Sequence, residues 1–191
     1  MTDFGSYFEK MYRLNSDPWN YAESPYEGQK YDATCAALRS DHYRHGIEIG
    51  CSIGALSARL AVRCDRFLAI DLVGKAVEQA STRLADIPGA SAMVGQIPYH
   101  WPNHTFDLIV LSEVLYYLTP QEITLLARKI KDTALPGAEC VLVNWRGQTD
   151  TPITGIGART AFCDAMAGLT NFATHPNSGT PDYDHVTLVL P

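Results

Sequence analysis

The sequence predicts a doubly wound α/β fold, a parallel sheet with helices on both faces. Two observations carry this. From His45 onward, short apolar runs alternate with amphipathic stretches, the signature of repeated βαβ units. The runs around Val110 and Val141 are apolar almost throughout, as strands are when both faces are covered.

Gly46-Ile47-Glu48-Ile49-Gly50 reads as the first strand and Ala55 to Arg63 as a helix. Phe67 to Asp71 is the next strand, and a helix follows from about Gly74 to Ala85. A weak strand at Ser91 to Val94 precedes a strong one, Phe106 to Ser112. Thr119-Pro120-Gln121-Glu122 combines a Thr cap, Pro at the first helical position and Glu three residues after the cap. The helix it opens runs to about Ala134, where Pro136-Gly137 stops it. Glu139 to Trp145 is a strand, Thr160 to Ala167 a helix and His185 to Leu190 a last strand.

The first forty residues differ, being rich in Tyr, Trp and Phe and without a strand-like run. Phe4, Phe8 and Met11 recur at helical spacing, as do Tyr31, Cys35 and Leu38. Asp17-Pro18 and Ser24-Pro25 break the chain between them, so two helices flank an aromatic loop. The expected organisation is a single domain, 1–191, with an N-terminal helical and aromatic lid over 1–42 and the core over 43–191.

The 191 residues are 46% hydrophobic and 19% charged, which suits one ordinary core. The net charge of -6, with 15 scattered Lys and Arg, excludes binding to a nucleic-acid backbone, which needs a basic patch. No run reaches the roughly 20 apolar residues of a membrane span, and the polar start, Met1-Thr2-Asp3-Phe4-Gly5, does not read as a secretory signal. Cys35, Cys51, Cys64, Cys140 and Cys163 are odd in number and lack metal-ligand spacing. A reduced, cytoplasmic protein without a metal is expected.

In such sheets a ligand lies beyond the carboxyl ends of the strands. The first strand ends in Glu48-Ile49-Gly50-Cys51-Ser52-Ile53-Gly54 and opens a helix. Ser52 stands where a dinucleotide loop would want its second glycine, so close approach of a pyrophosphate is poorly provided for. Asp71 ends the second strand at the distance, about 20 residues, where a carboxylate accepts from both ribose hydroxyls. Each part alone has a plainer reading: the glycines as a tight turn, the Asp as a cap of the next helix. Together, in this order, they point to a cofactor with an adenosine and no diphosphate.

Glu48-x-Gly50-x-x-x-Gly54, Asp71 and Phe106-Asp107-Leu108-Ile109-Val110 resemble the motifs of class I S-adenosylmethionine (SAM) dependent methyltransferases. Asp17-Pro18-Trp19, Pro25-Tyr26-Glu27 and Ser112-Glu113-Val114-Leu115-Tyr116-Tyr117-Leu118 are similar to the NodS family within that class. The likeness covers most of residues 12–145. It implies a Rossmann-like, mostly parallel seven-stranded sheet and transfer of a methyl group from SAM to the amine of a deacetylated glucosamine ending a chitooligosaccharide. Carried over, Glu48, Gly50, Cys51 and Gly54 form the loop under the methionine and ribose, with Asp71 on the ribose hydroxyls and Leu72 beside the adenine. Ser112 and Ile97 join the cofactor's surroundings. Where the family commonly has an Asp on the adenine amino group, this chain has Gln96. Trp19 and Lys30 match positions near the amino-acid end of the cofactor, where an aromatic face suits a sulfonium.

Methyl transfer to an amine needs the acceptor placed behind the methyl, water kept out and the charge growing on nitrogen stabilised. Glu113, just past the fourth strand, is the candidate for that charge, and its plainer reading is a helix N-terminal acid. Tyr116, Tyr117, Asn144, Trp145 and Arg146 are candidates for the acceptor pocket, and Asp150 in the following polar loop is a second acid. The six histidines offer neither a visible base nor metal-ligand spacing, which favours a small-molecule amine. The alternatives are an O-methyltransferase of a sugar or secondary metabolite and a SAM-binding regulatory protein without turnover.

Overall fold

The computed structural model describes residues 4–176 and 182–191. Seven strands form one mostly parallel sheet in the order β3-β2-β1-β4-β5-β7-β6. The chain divides into two compact units, residues 1–96 and 97–191. No helix among the described residues is long and apolar enough to cross a membrane.

The first unit holds α1 (Phe4–Leu14), α2 (Pro25–Ala36), β1 (Tyr43–Ile49), α3 (Ala55–Ala61), β2 (Cys64–Asp71), α4 (Gly74–Leu84) and β3 (Ala90–Val94). β2 pairs in parallel with both β1 and β3. Ser24 caps α2 by accepting from the Glu27 N–H, with Pro25 at the first helical position. The aromatic segment does more than link two helices. Tyr12, buried, packs with Ile53, Val73 and Ala76, and Phe8 and Tyr21 close over them. The Trp19 ring stands edge-on to Phe8 and Tyr12, at 6.0 and 5.7 Å, and stacks on Tyr21 at 5.7 Å.

The turn from β1 into α3 requires glycine at its last position. Gly54 has φ +78, and a Cβ there would lie 2.9 Å from the Ala80 Cα of α4. Gly54→Ala combines left-handed strain with a backbone clash, each of order 1–3 kcal/mol. It is expected to lower the urea midpoint of unfolding at an unchanged slope.

The second unit holds β4 (Phe106–Ser112), a 3-10 turn at Leu115–Tyr117, α5 (Pro120–Thr133), β5 (Ala134–Trp145), α6 (Gly155–Ala167), β6 (Ala173–Pro176) and β7 (Tyr183–Val189). The expected capping box of α5 is present, with Thr119 and Glu122 bonding reciprocally. The starts of β5 and α6 differ most from expectation. β5 starts directly at the end of α5, because the ladder slips between Phe106 and Leu108 of β4 and accommodates Pro136 and Gly137. α6 starts at Gly155 instead of Thr160, since Thr154 caps it by accepting from the Gly157 N–H. Glycine is needed in that first turn, where a Cβ on Gly155 would collide with the Trp145 carbonyl oxygen. The strand that no sequence run marked is β6, four residues antiparallel to β7 at the sheet edge, where its Pro is tolerated.

Candidate functional site

In the first unit the turn after β1 is shaped by three left-handed residues, Gly50 (φ +79), Ser52 (φ +51) and Gly54 (φ +78). Its start is pinned to β2: the N–H groups of Gly50 and Cys51 both donate to the Ile70 carbonyl, at 2.8 and 3.0 Å. Asp71, the last residue of β2, then ties the turn to the next helix. Its Oδ2 accepts from the Ser52 N–H at 2.8 Å and its Oδ1 from the Val73 N–H at 2.9 Å. Burial pushes the Asp71 carboxyl above its ordinary value, and these backbone donors oppose that shift. Asp71 is not itself the cap of α4, which is Val73, but it holds the N–H of that cap residue. The result is an acceptor-only group fixed at the strand end beside a sharply curved backbone. That fits a sugar with two adjacent hydroxyls.

Beneath the turn, Glu48 is buried and its Oε2 accepts from the Ser57 hydroxyl at 2.5 Å. Burial raises its pKa to about 7, Ser57 opposes this, and the Asp71 charge adds to it. The folded protein then takes up a proton between about pH 4.5 and 7 that the unfolded chain does not. Stability is fully present below that window and falls as pH rises through it, by on the order of 1–3 kcal/mol. Denaturant unfolding across this range is expected to show the decline, and Glu48→Gln to flatten it. Parallel curves for the two proteins would assign the slope elsewhere.

The remaining first-unit candidates are placed as follows. Cys51 is buried, and burial with Asp71 and Glu48 drives its thiol well above its ordinary value, so it behaves as a small apolar group. Trp19 stays 37% exposed on the aromatic cluster. Lys30 is buried, its Nζ 2.9 Å from Glu27 Oε2 and 5.5 Å from the centre of the Tyr26 ring. Leu72 is half-buried and Gln96 exposed.

In the second unit Ile97 is buried and Ser112 half-buried. Glu113 sits in the left-handed region (φ +56) directly after β4, and its N–H donates to the Val143 carbonyl at 2.9 Å. Its Oε2 accepts twice, from the Tyr116 hydroxyl and from the Trp145 N–H, each at 2.8 Å. This carboxylate thus joins the ends of β4 and β5, with the Tyr116 and Tyr117 rings 4.7 Å apart beside it. Asn144 is fully buried, Trp145 half-buried, and Arg146 and Asp150 exposed.

Sequence reasoning missed three groups. The Tyr12 hydroxyl bonds Ser52 Oγ, so α1 is attached to the glycine turn itself. Ser57 shares the buried Glu48 carboxyl. On β7, Asp184 pairs with Arg159 of α6, Oδ2 to Nε at 3.0 Å. Its carboxyl is raised by burial and lowered by Arg159 and Arg146, with Glu113 also within electrostatic reach. Only the aromatic richness of the first forty residues hinted at Tyr12, and nothing local marked Asp184.

Residues 8–131 match the family model described as nodulation protein S (NodS). Nodulation protein S of Rhizobium tropici is 32% identical over 103 residues, covering 53% of this chain and 43% of that protein. The chain spans about half the length of the curated relatives it matches. Among solved structures, a putative methyltransferase from Pseudomonas syringae is 32% identical, with a TM-score of 0.70 over 86% of this chain and 98% of that one. The N-methyltransferase NodS from Bradyrhizobium japonicum WM9, in complex with S-adenosylhomocysteine, superposes with a TM-score of 0.80. It covers 99% of this chain and 100% of that one at 23% identity, and so shares the fold. With a family model matched over most of its length, the chain belongs to the NodS family.

Proposed function

We propose that the chain is a SAM-dependent methyltransferase acting on the amine of a small acceptor, an amino-sugar such as the deacetylated end of a chitooligosaccharide. The observation that carries the cofactor assignment is Asp71, whose carboxylate the turn itself orients through the Ser52 and Val73 N–H groups. Asp71 holds the ribose hydroxyls, Gly50 and Gly54 let the backbone curve beneath, and Leu72, Gln96 and Ile97 meet the adenine. Trp19 and Lys30 serve the amino-acid end. When bound, SAM supplies a methyl group on a sulfonium, a leaving group that needs no acid.

The second unit's strand ends act on the acceptor. Glu113 stabilises the positive charge that develops on the amine nitrogen, which is worth most where water is excluded. Tyr116, Tyr117, Trp145 and Arg146 shape the pocket, and acidic side chains at these ends (Glu113, Asp184, Asp150) suit a basic acceptor. The free thiols of Cys35, Cys51, Cys64, Cys140 and Cys163 support a reducing, cytoplasmic setting.

The test is transfer of isotopically labelled methyl from SAM to a panel of deacetylated chitooligosaccharides, simple amino-sugars, small amines and hydroxyl-only sugars. Label on the amino-sugars is the expected result. Label only on hydroxyl compounds would make it an O-methyltransferase, and tight SAM binding with no label anywhere would remove the enzyme reading.

A further inference from the structure

The amide of Asn144 is fully buried on β5, and neither its oxygen nor its nitrogen has a hydrogen-bond partner. Native interiors rarely leave an amide unpaired at both ends without an occupant to satisfy it. Across the ladder Asn144 directly opposes Asp184 of β7. Opposed residues share one face of the sheet, their Cβ atoms about 5 Å apart. Both Asp184 carboxylate oxygens are buried, and Arg159 Nε lies 3.0 Å from Oδ2. The first turn of α6 lies over the same face: a Cβ on Gly155 would stand 3.3 Å from Asn144 Cβ, and Arg159 follows one turn later. In the segment leading into that turn, the Arg146 N–H donates to the Asp182 carbonyl at 2.8 Å, and the Thr151 hydroxyl bonds within the segment, to Thr149 Oγ1 at 2.6 Å and the Ile153 carbonyl at 2.8 Å.

The chemistry of the cluster selects its occupant. An amide offers donors and an acceptor, and the adjacent carboxylate offers acceptors alone. An anion would meet the Asp184 charge, which already answers that of Arg159. An apolar group would leave both ends of the Asn144 amide unpaired. A neutral group that donates and accepts at neighbouring positions satisfies them all, and the vicinal hydroxyls of a sugar ring are such a group. We propose that Asn144 and Asp184 form a hydroxyl-reading subsite that holds the sugar ring of the acceptor, entered when the 146–154 segment and the first turn of α6 part from the sheet. This rests on the proposed function for its substrate and names the residues that would distinguish a sugar amine from a plain one.

The experiment observes the Asn144 side-chain amide directly, in triple-resonance NMR of the isotopically labelled full chain with S-adenosylhomocysteine present. Glucosamine, glucose and butylamine are titrated in turn. Both sugars are expected to shift the Asn144 amide signals and butylamine to leave them in place. Asp184→Asn is expected to weaken the sugar response at least fivefold, with S-adenosylhomocysteine affinity unchanged by calorimetry. Asn144 signals that stay fixed at saturating sugar, or that move equally with butylamine, overturn the subsite and leave the cluster to internal water. The two readings fail separately. Methyl transfer to glucosamine with an unmoved Asn144 sinks the subsite alone, whereas a sugar-shifted Asn144 without any methyl transfer sinks the proposed activity alone.

Discussion

Asp71→Ala is expected to weaken binding of SAM and S-adenosylhomocysteine at least tenfold, a loss on the order of 1.4 kcal/mol or more in calorimetric titration. Two effects add. In the proposed site the variant lacks the acceptors for two ribose hydroxyls, and hydrogen bonds to a charged group are worth about 1.5–3 kcal/mol each. It also frees the Ser52 and Val73 N–H groups that the carboxylate holds at 2.8 and 2.9 Å, so the turn loses its outer anchor. Asp71→Asn separates the two. Its amide keeps one oxygen for a backbone donor but turns the other acceptor into a donor, so its affinity is expected to fall between the wild type and the Ala variant. Unchanged affinity in Asp71→Ala would remove the cofactor assignment, and with it the proposed reaction.

That ribose-binding candidate was legible because it is local. A glycine turn after an apolar run and an acid at the end of the next one are properties of adjacent residues, as is the Thr119–Glu122 capping box. β1, β2, β4 and α5 could be found for the same reason. What stayed hidden depends on register or on close packing. Asp184 opposes Asn144 only because β7 runs antiparallel to β5 in one particular alignment, which no periodicity encodes. The start of α6 was missed because Gly155 and Gly157 are poor helix formers in isolation. They are required there by the approach of the Trp145 carbonyl and of Ile153, whose Cγ1 would lie 2.9 Å from a Cβ on Gly157. Tyr12 packs in the aromatic cluster, and its hydroxyl reaches Ser52, forty positions away in sequence. Its place after β4 marks Glu113 in the sequence. The structure adds that its carboxylate also accepts from a side chain and from the backbone of β5.

This double engagement makes Glu113→Gln the decisive variant for the transfer step. The Gln amide oxygen can still accept from the Tyr116 hydroxyl and the Trp145 N–H, so the link between the ends of β4 and β5 is kept while the negative charge is lost. The expected result is a fall in kcat of about a hundredfold, the scale of removing one electrostatic stabiliser of a transition state. Cofactor affinity and unfolding midpoint are expected to stay close to wild type. Glu113→Ala removes the link as well and is expected to lose stability in addition to turnover, because two donors lose their acceptor. If Glu113 is only a structural tie, Gln substitutes for it and turnover persists, while Ala alone impairs the protein. If Gln lowers cofactor affinity as much as kcat, Glu113 belongs to the cofactor site. A kcat loss in Gln at intact stability and intact cofactor binding has one remaining physical source, the charge itself. In the proposed reaction it acts where the amine becomes cationic as the new bond forms.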